Sequence, residues 1–248
     1  MRISLRGFLL ASSAKKPDFE VLRLIFRNVL LLLKEKHRSG FVHMALHPKN
    51  IIISRNYSIE LIQRECDRSC YFAPETLLKL EANKGVGSFG PENDIWAIGS
   101  IMFESLLGYP PLTGGSFNQL LNAIFTRYGN PTRFDMRYLS DSRFNKLQLC
   151  RTDNPPSSWF ILGRGKFTNS NPQLQEQELN MIPKQLRQPF RDIIRDAIIY
   201  DIEARKTAQE LLEMPFFSDV IESDIRQDIE CRYYLKCNYE EDIESTHR

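Results

Sequence analysis

Between Glu92 and Leu107 the chain is apolar almost throughout: Ile95, Trp96, Ile98, Ile101, Met102, Phe103, Leu106 and Leu107. A helix that is apolar on all sides has no face to give to water, so this segment predicts a helix buried at a domain centre. Other elements must wrap it. Residues 18 to 36 predict one, with Leu22, Ile25, Phe26, Val29, Leu30 and Leu33 on a single face, Pro17-Asp18 as a start and Ser39-Gly40 as a stop. Residues 116 to 128, 184 to 200 and 207 to 213 read as further helices. Ile51 to Ile53 and Ile59 to Ile62 flank the polar turn Arg55-Asn56-Tyr57 and predict a small β-hairpin.

From Gly129 to Pro183 the pattern breaks up, punctuated by Pro131, Pro155, Pro156 and Pro172. An irregular connection that long marks a functional loop or an insertion. After Phe217 the chain is charged and mixed, read as one helix and a frayed end that is most simply solvated, a partner-binding helix being the alternative. The sequence has no internal repeat and no low-complexity tract.

Composition narrows the function classes. The 248 residues are 42% hydrophobic and 26% charged, ordinary for one large or two small globular domains. Lys+Arg 33 against Asp+Glu 31 leaves a net charge of +2, so no global basic field draws the chain to nucleic acid or to a membrane. The longest purely apolar run, Val29 to Leu33, is too short to span a bilayer. The apolar stretch Gly7 to Ala11 is shorter than the core of a signal peptide. Cys66, Cys70, Cys150, Cys231 and Cys237 form no C-x-x-C pair, and there are four histidines, which argues against zinc. Cys231 and Cys237 read as unlinked. Reduced thiols and an intracellular place, cytoplasmic or nuclear, are expected.

The segment Phe41 to Ile51 resembles the catalytic loop of protein kinases, H-R-D-L-K-P-x-N-I. His43, Leu46, Pro48, Asn50 and Ile51 match, while Met44, Ala45 and His47 stand where the family has Arg, the catalytic Asp and Lys. Tyr71-Phe72-Ala73-Pro74-Glu75 resembles the A-P-E motif that closes the activation segment. Asp94-Ile95-Trp96-Ala97-Ile98-Gly99 resembles the D-x-W-x-x-G start of the family's central helix. Asp201 to Ala208 resembles its D-P-x-x-R-x-T-A element, and Met214-Pro215-Phe216-Phe217 its H-P-F-F continuation. The order is the family's, over about residues 3 to 217. Gly108 to Gly115, Gln119 to Phe125 and Tyr128 to Thr132 resemble loops of the cyclin-dependent and MAP kinase (CMGC) group, although Phe72 replaces that group's Arg.

The resemblance implies a mostly α fold: a protein-kinase C-terminal lobe over residues 1–217 with a small hairpin at the catalytic-loop face, a CMGC-type insert at about 129–183, and a tail at 218–248. Ser4 to Leu10 resembles the first helix of that lobe, and no segment resembles the Gly-rich loop, the V-A-I-K strand or the partner-glutamate helix of the N-terminal lobe. The expectation is therefore a C-lobe alone.

The catalytic positions depart from the family. Ala45 cannot accept a hydroxyl proton, and loss of a positioned base costs about two to four orders of magnitude in rate. The magnesium-holding Asp of D-F-G is expected about eighteen residues on, where the chain reads Gln63-Arg64-Glu65. Arg64 would put positive charge where the cation sits, and the lost metal removes several kcal/mol more, on the order of 3 or above. Cys66 to Phe72 leave little room for a phosphorylatable activation loop, and Met44 removes the arginine that would pair with its phosphate.

Asn50 could ligate magnesium, but a loop-stabilising amide is the preferred role; His47 could act as a substitute base, but a solvated loop residue is preferred. Asp67 as a displaced ligand would need four inserted residues and is rejected. By resemblance Glu75 and Arg205 form a buried ion pair, Asp94 fixes the catalytic-loop backbone, and His43 packs on the central helix that carries Trp96 and Gly99. All of these are structural. A retained scaffold without its chemistry is the pattern of a pseudokinase, acting as a protein-interaction or allosteric module without ATP or magnesium. Its top face around Ala45, with Phe41, Ile51 and Ile53 nearby, is expected to be partly bare and covered by a protein partner, another kinase or a second copy. The alternative is a truncated product or gene model of a Ser/Thr kinase whose ATP-binding lobe lies upstream; a relic without selected function is a third.

Overall fold

Glu92–Leu107 forms one continuous helix at the centre of the structure, a computed structural model that describes residues 2–11, 19–54, 57–63, 69–81, 89–107, 112–129, 131 and 182–218. In chain order the elements are β1 (Arg2–Ser4), α1 (Leu5–Ala11), α2 (Phe19–Arg38), β2 (Ile51–Ser54), β3 (Ile59–Leu61), α3 (Pro74–Glu81), α4 (Glu92–Leu107), α5 (Phe117–Tyr128), α6 (Arg187–Ala197) and α7 (Ala208–Leu212). Short 3-10 turns at Ser69–Tyr71 and Lys184–Leu186 precede α3 and α6. The architecture is mostly helical, with one small antiparallel sheet.

The apolar stripe of α2 is buried from Val21 to Leu33, and α2 packs against α7 and α4. Gly40 ends it at φ 78°, a left-handed turn that glycine adopts without a Cβ penalty. Ser116 caps α5, its hydroxyl accepting from the Gln119 amide, and Thr207 and Glu210 form a capping box on α7.

Around α4 the packing is aromatic. Trp96 and Phe103 meet the Tyr128 ring edge-on at 5.8 and 5.5 Å, and Tyr200 packs on Trp96 at 5.7 Å. The Tyr200 hydroxyl donates to the Gly129 carbonyl at 2.5 Å, tying the end of α5 to the segment after α6. At Gly99 α4 and α6 approach closely: a Cβ there would stand 2.8 Å from that of Ala197.

The expected hairpin is present as β2 and β3, with Ile51 opposite Leu61 and Ile53 opposite Ile59. It is not the whole sheet, because β1 pairs antiparallel with the other edge of β2, Ile3 opposite Ile53. Three residues ahead of a helix carry too little alternation to be read as a strand. The exposed face expected around Ala45 is also smaller than anticipated. Ile51 and Ile53 are 0% exposed, because they turn into the same core as Ile3 and Leu5. Phe41 alone of the three is exposed, at 41%, with the Lys36 ammonium 4.7 Å from its ring centre.

Most of the insert expected at 129–183, the tail expected at 218–248 apart from Ser218, and the positions of Arg64, Glu65, Cys66 and Asp67 lie outside the described residues. Among the described residues no helix is long and apolar enough to cross a membrane.

Candidate functional site

The loop from Phe41 to Asn50 joins α2 to β2 and crosses the first turn of α4. Asp94, in that turn, is 0% exposed. Its carboxylate accepts from the His43 amide at 2.7 Å and from the Met44 amide at 2.9 Å. Met44 sits at φ 55°, left-handed backbone that a residue with a Cβ enters at a cost of roughly 1–2 kcal/mol. Two charge-assisted bonds to one buried carboxylate hold it there. The ring of His37, at the end of α2, brings Nε2 to 3.0 Å from the same carboxylate. His37 was not singled out in the sequence. In sequence it reads as one of three basic residues closing a helix, the ordinary complement to a helix dipole.

Asn50 and Gln63 fasten the loop from the other side. The Asn50 side-chain amide donates to the Ala45 carbonyl at 2.8 Å, and its main-chain carbonyl accepts from the Ile62 amide at 3.0 Å. The exposed Gln63 donates through Nε2 to the His43 carbonyl at 3.2 Å. The Ala45 methyl is fully buried. His47 accepts a bond at Nδ1 from the Lys49 amide, 2.9 Å, and its ring meets Tyr71 edge-on at 5.1 Å. With Nδ1 accepting, the neutral ring carries its proton at Nε2, and neither nitrogen offers a spare lone pair.

Glu75 and Arg205 form a buried ion pair. Arg205 donates to the Glu75 carboxylate at 2.7 and 3.4 Å, to the Ile199 carbonyl at 3.1 and 2.8 Å, and to the Glu92 carbonyl at 2.9 Å. Its guanidinium lies over Trp96, 5.1 Å from the ring centre. One side chain thus joins the start of α3, the start of α4 and the segment after α6.

A model of the protein kinase domain matches residues 8–217. The chain belongs to the protein kinase family. Among relatives of this kinase chain is a probable serine/threonine-protein kinase, glkA, of Dictyostelium discoideum. It is 26% identical over 86% of this chain and 42% of its own length. The cell division control protein 2 homolog 1 of Trypanosoma brucei brucei is 25% identical over 81% of this chain and 66% of its own. Mitogen-activated protein kinase 11 of Oryza sativa subsp. japonica is 24% identical over 86% and 36%. The kinase chain thus spans less than two thirds of the length of each of these relatives.

A kinase needs a proton acceptor and a magnesium ion at this loop. Magnesium takes hard, preferably anionic oxygens in octahedral array. Ala45 offers no oxygen and Asn50 and Gln63 only neutral amide oxygens, so these three positions supply no anionic ligand and do not fit that ion. Among the described residues no three His, Cys, Asp or Glu side chains come together as a metal site.

A further buried acid is linked to the kinase loop through Tyr71, whose ring meets His47. Glu104 of α4 accepts from the Tyr71 hydroxyl at 2.9 Å and lies 3.5 Å from Arg127 of α5. Burial pushes its carboxyl up to about 7, against the lowering effect of Tyr71, Arg127 and Arg6. The Tyr71 hydroxyl is itself driven upward, first by burial and then by Glu104. Glu104 escaped notice in the sequence because it sits inside the apolar run. A lone acid there was the signal that a partner had to exist.

Proposed function

We propose that this chain is a pseudokinase of the cyclin-dependent/MAP kinase group, kept as a protein-interaction or allosteric module without phosphotransfer. The observation that carries it is the buried methyl of Ala45, which puts no proton acceptor and no anionic oxygen where the family has its catalytic acid. The motif residues that survive have structural contacts: Asp94 holds main chain, Glu75 pairs with Arg205, Arg205 lies over Trp96, and Gly99 admits the close approach of Ala197. Motifs at Gln119 to Phe125 and relatives named for cell division control and mitogen-activated kinases support the subgroup.

In this role the protein works inside the cell, binds neither ATP nor magnesium, and engages no nucleic acid or membrane, in keeping with its net charge of +2. Its partner is a protein, another kinase or a second copy, seated on the loop face where Phe41 stands exposed beside Lys36. Titrating magnesium-ATP against the natural protein, with melting temperature as readout, tests this. No magnesium-dependent rise is expected; a rise that Asn50→Ala removes would overturn the proposal.

A second reading is favoured by the greater length of the relatives. Here these residues are one part of a Ser/Thr kinase whose ATP-binding lobe lies upstream. The intact mass of the natural protein separates the two: 29.0 kDa for the chain as given, or larger by about a small domain.

A further inference from the structure

Among the described residues three acids are buried, Glu75, Asp94 and Glu104, and they differ in what their oxygens receive. Asp94 accepts two main-chain amides at 2.7 and 2.9 Å, with the His37 ring at 3.0 Å. Glu75 has the Arg205 guanidinium at 2.7 Å. Glu104 is the least well supplied. Its closest side-chain donor is a neutral one, the Tyr71 hydroxyl at 2.9 Å, and the Arg127 guanidinium stands off at 3.5 Å. A main-chain bond from Leu112 and the more distant charge of Arg6 on α1 complete its surroundings. A buried carboxyl without a close cation holds its charge poorly. Burial outweighs all four lowering contacts here.

The groups around it keep their protons. Burial drives both the Tyr71 and the Tyr128 hydroxyls upward, Tyr128 to about 12, and the charge of Glu104 adds to each. Cys70 raises Tyr71 further and Arg6 lowers it. Ser100 and Arg127 lower Tyr128.

Tyr71 closes this cluster from outside. It is 2% exposed and ends the turn Ser69–Tyr71, which packs on both α4 and α5. Two residues on, the Ala73 amide donates to Asn93 Oδ1 of α4 at 3.3 Å, and the Ala73 carbonyl accepts from the Thr76 and Leu77 amides at 2.9 and 3.0 Å. On its other side the Tyr71 ring meets His47, and the loop of His47 is tied to α1 by the bond from the Arg6 amide to the Pro48 carbonyl, 3.0 Å. The chain entering α3 is thus held to α4 next to one poorly supplied acid.

We propose that Tyr71 and Glu104 form a proton-operated latch: with the Glu104 carboxyl protonated the turn Ser69–Tyr71 is held on α4 and α5, and with it ionised the turn releases and water reaches the carboxylate. Release also takes Tyr71 off His47, so the loop around Ala45 loosens with it. The closed form ionises at about 7 and the open, hydrated form at the ordinary value of about 4.5. Acidification therefore closes the latch. Opening rises between these two values and levels off above the higher one. The latch does not depend on whether the chain transfers phosphate.

Hydrogen exchange of the Ala73, Thr76 and Leu77 amides in the full chain tests it, each rate being divided by its intrinsic rate at the same pH. From about pH 5 to about pH 8 their opening is expected to rise on the order of fiftyfold, most of it below about pH 7. In Glu104→Gln, which cannot ionise, it should stay flat. Dilute urea should leave the rise unchanged, since a local opening exposes little surface. Tyr71→Phe keeps the ring and removes a donor that lowers the carboxyl, so opening should level off at a higher pH; this variant serves if Glu104→Gln does not fold. An opening that does not change with pH, a rise that persists in Glu104→Gln, a levelling-off unmoved in Tyr71→Phe, or exchange that follows urea in step with the amides of α2 overturns the proposal.

Discussion

The Asn50 amide and the Ala45 carbonyl, 2.8 Å apart, join the residue that matches the family's magnesium asparagine to the residue that has lost the family's acid. The bond is buried and local, and it closes a loop that Asp94 holds from the opposite side. Both bonds tie main-chain segments of the loop in place.

Asn50→Ala should therefore act on stability. It leaves the Ala45 carbonyl buried without this donor, which costs about 1–3 kcal/mol. Urea unfolding of the variant should show the lower midpoint. An unaltered midpoint would mean that the amide does not hold the loop.

Glu75→Ala should cost more, about 3–5 kcal/mol, since it strands the buried Arg205 guanidinium. Arg205→Lys should recover little of the natural stability. A single ammonium cannot reach the Glu75 carboxylate and the Ile199 and Glu92 carbonyls together. Thermal unfolding of both variants checks this, and a lysine variant as stable as the natural protein would contradict it.

Glu104 should make stability depend on pH. Burial pushes its carboxyl up to about 7 in the fold, from an ordinary value of about 4.5, so the fold favours the protonated form. That contribution is fully present below about 4.5 and is lost as pH rises through about 7. Glu104→Gln, which cannot ionise, should gain on the natural protein over this window by on the order of 2–3 kcal/mol. Denaturant midpoints of the two proteins across that range give the difference directly. A difference that stays flat would mean that Tyr71, Arg127 and Arg6 keep the carboxylate charged.

The sequence makes some of these residues easy to find and hides others. The span of α4 follows from its all-round apolarity, and the Glu75–Arg205 pair from two motifs more than a hundred residues apart. Periodicity carries helices well because a stripe repeats over several turns. It carries β1 poorly, since the strand is three residues long and its pairing with β2 is a tertiary fact. His37 and Glu104 were hidden for opposite reasons: one sits among charges and the other among apolar residues, and only packing brings each to its partner. The burial of Ile51 and Ile53 likewise depends on β1 closing the sheet, so the exposed apolar surface is smaller than the sequence suggested.

Gly99→Ala probes that packing away from the loop. The added methyl would sit 2.8 Å from Ala197 Cβ and 3.0 Å from Ile198 Cγ1. Separating α4 from α6 to admit it should cost about 1–3 kcal/mol. A neutral result in thermal unfolding would show that the two helices can part without loss.

The most direct measurement is transfer of the terminal phosphate of labelled ATP, in magnesium, to the protein itself or to a general kinase substrate, by material purified from its own cells. The account predicts no transfer above that of the Asn50→Ala variant. Magnesium-dependent transfer by the natural protein, lost in Asn50→Ala while the fold is retained, would contradict it and make this loop a working catalytic site.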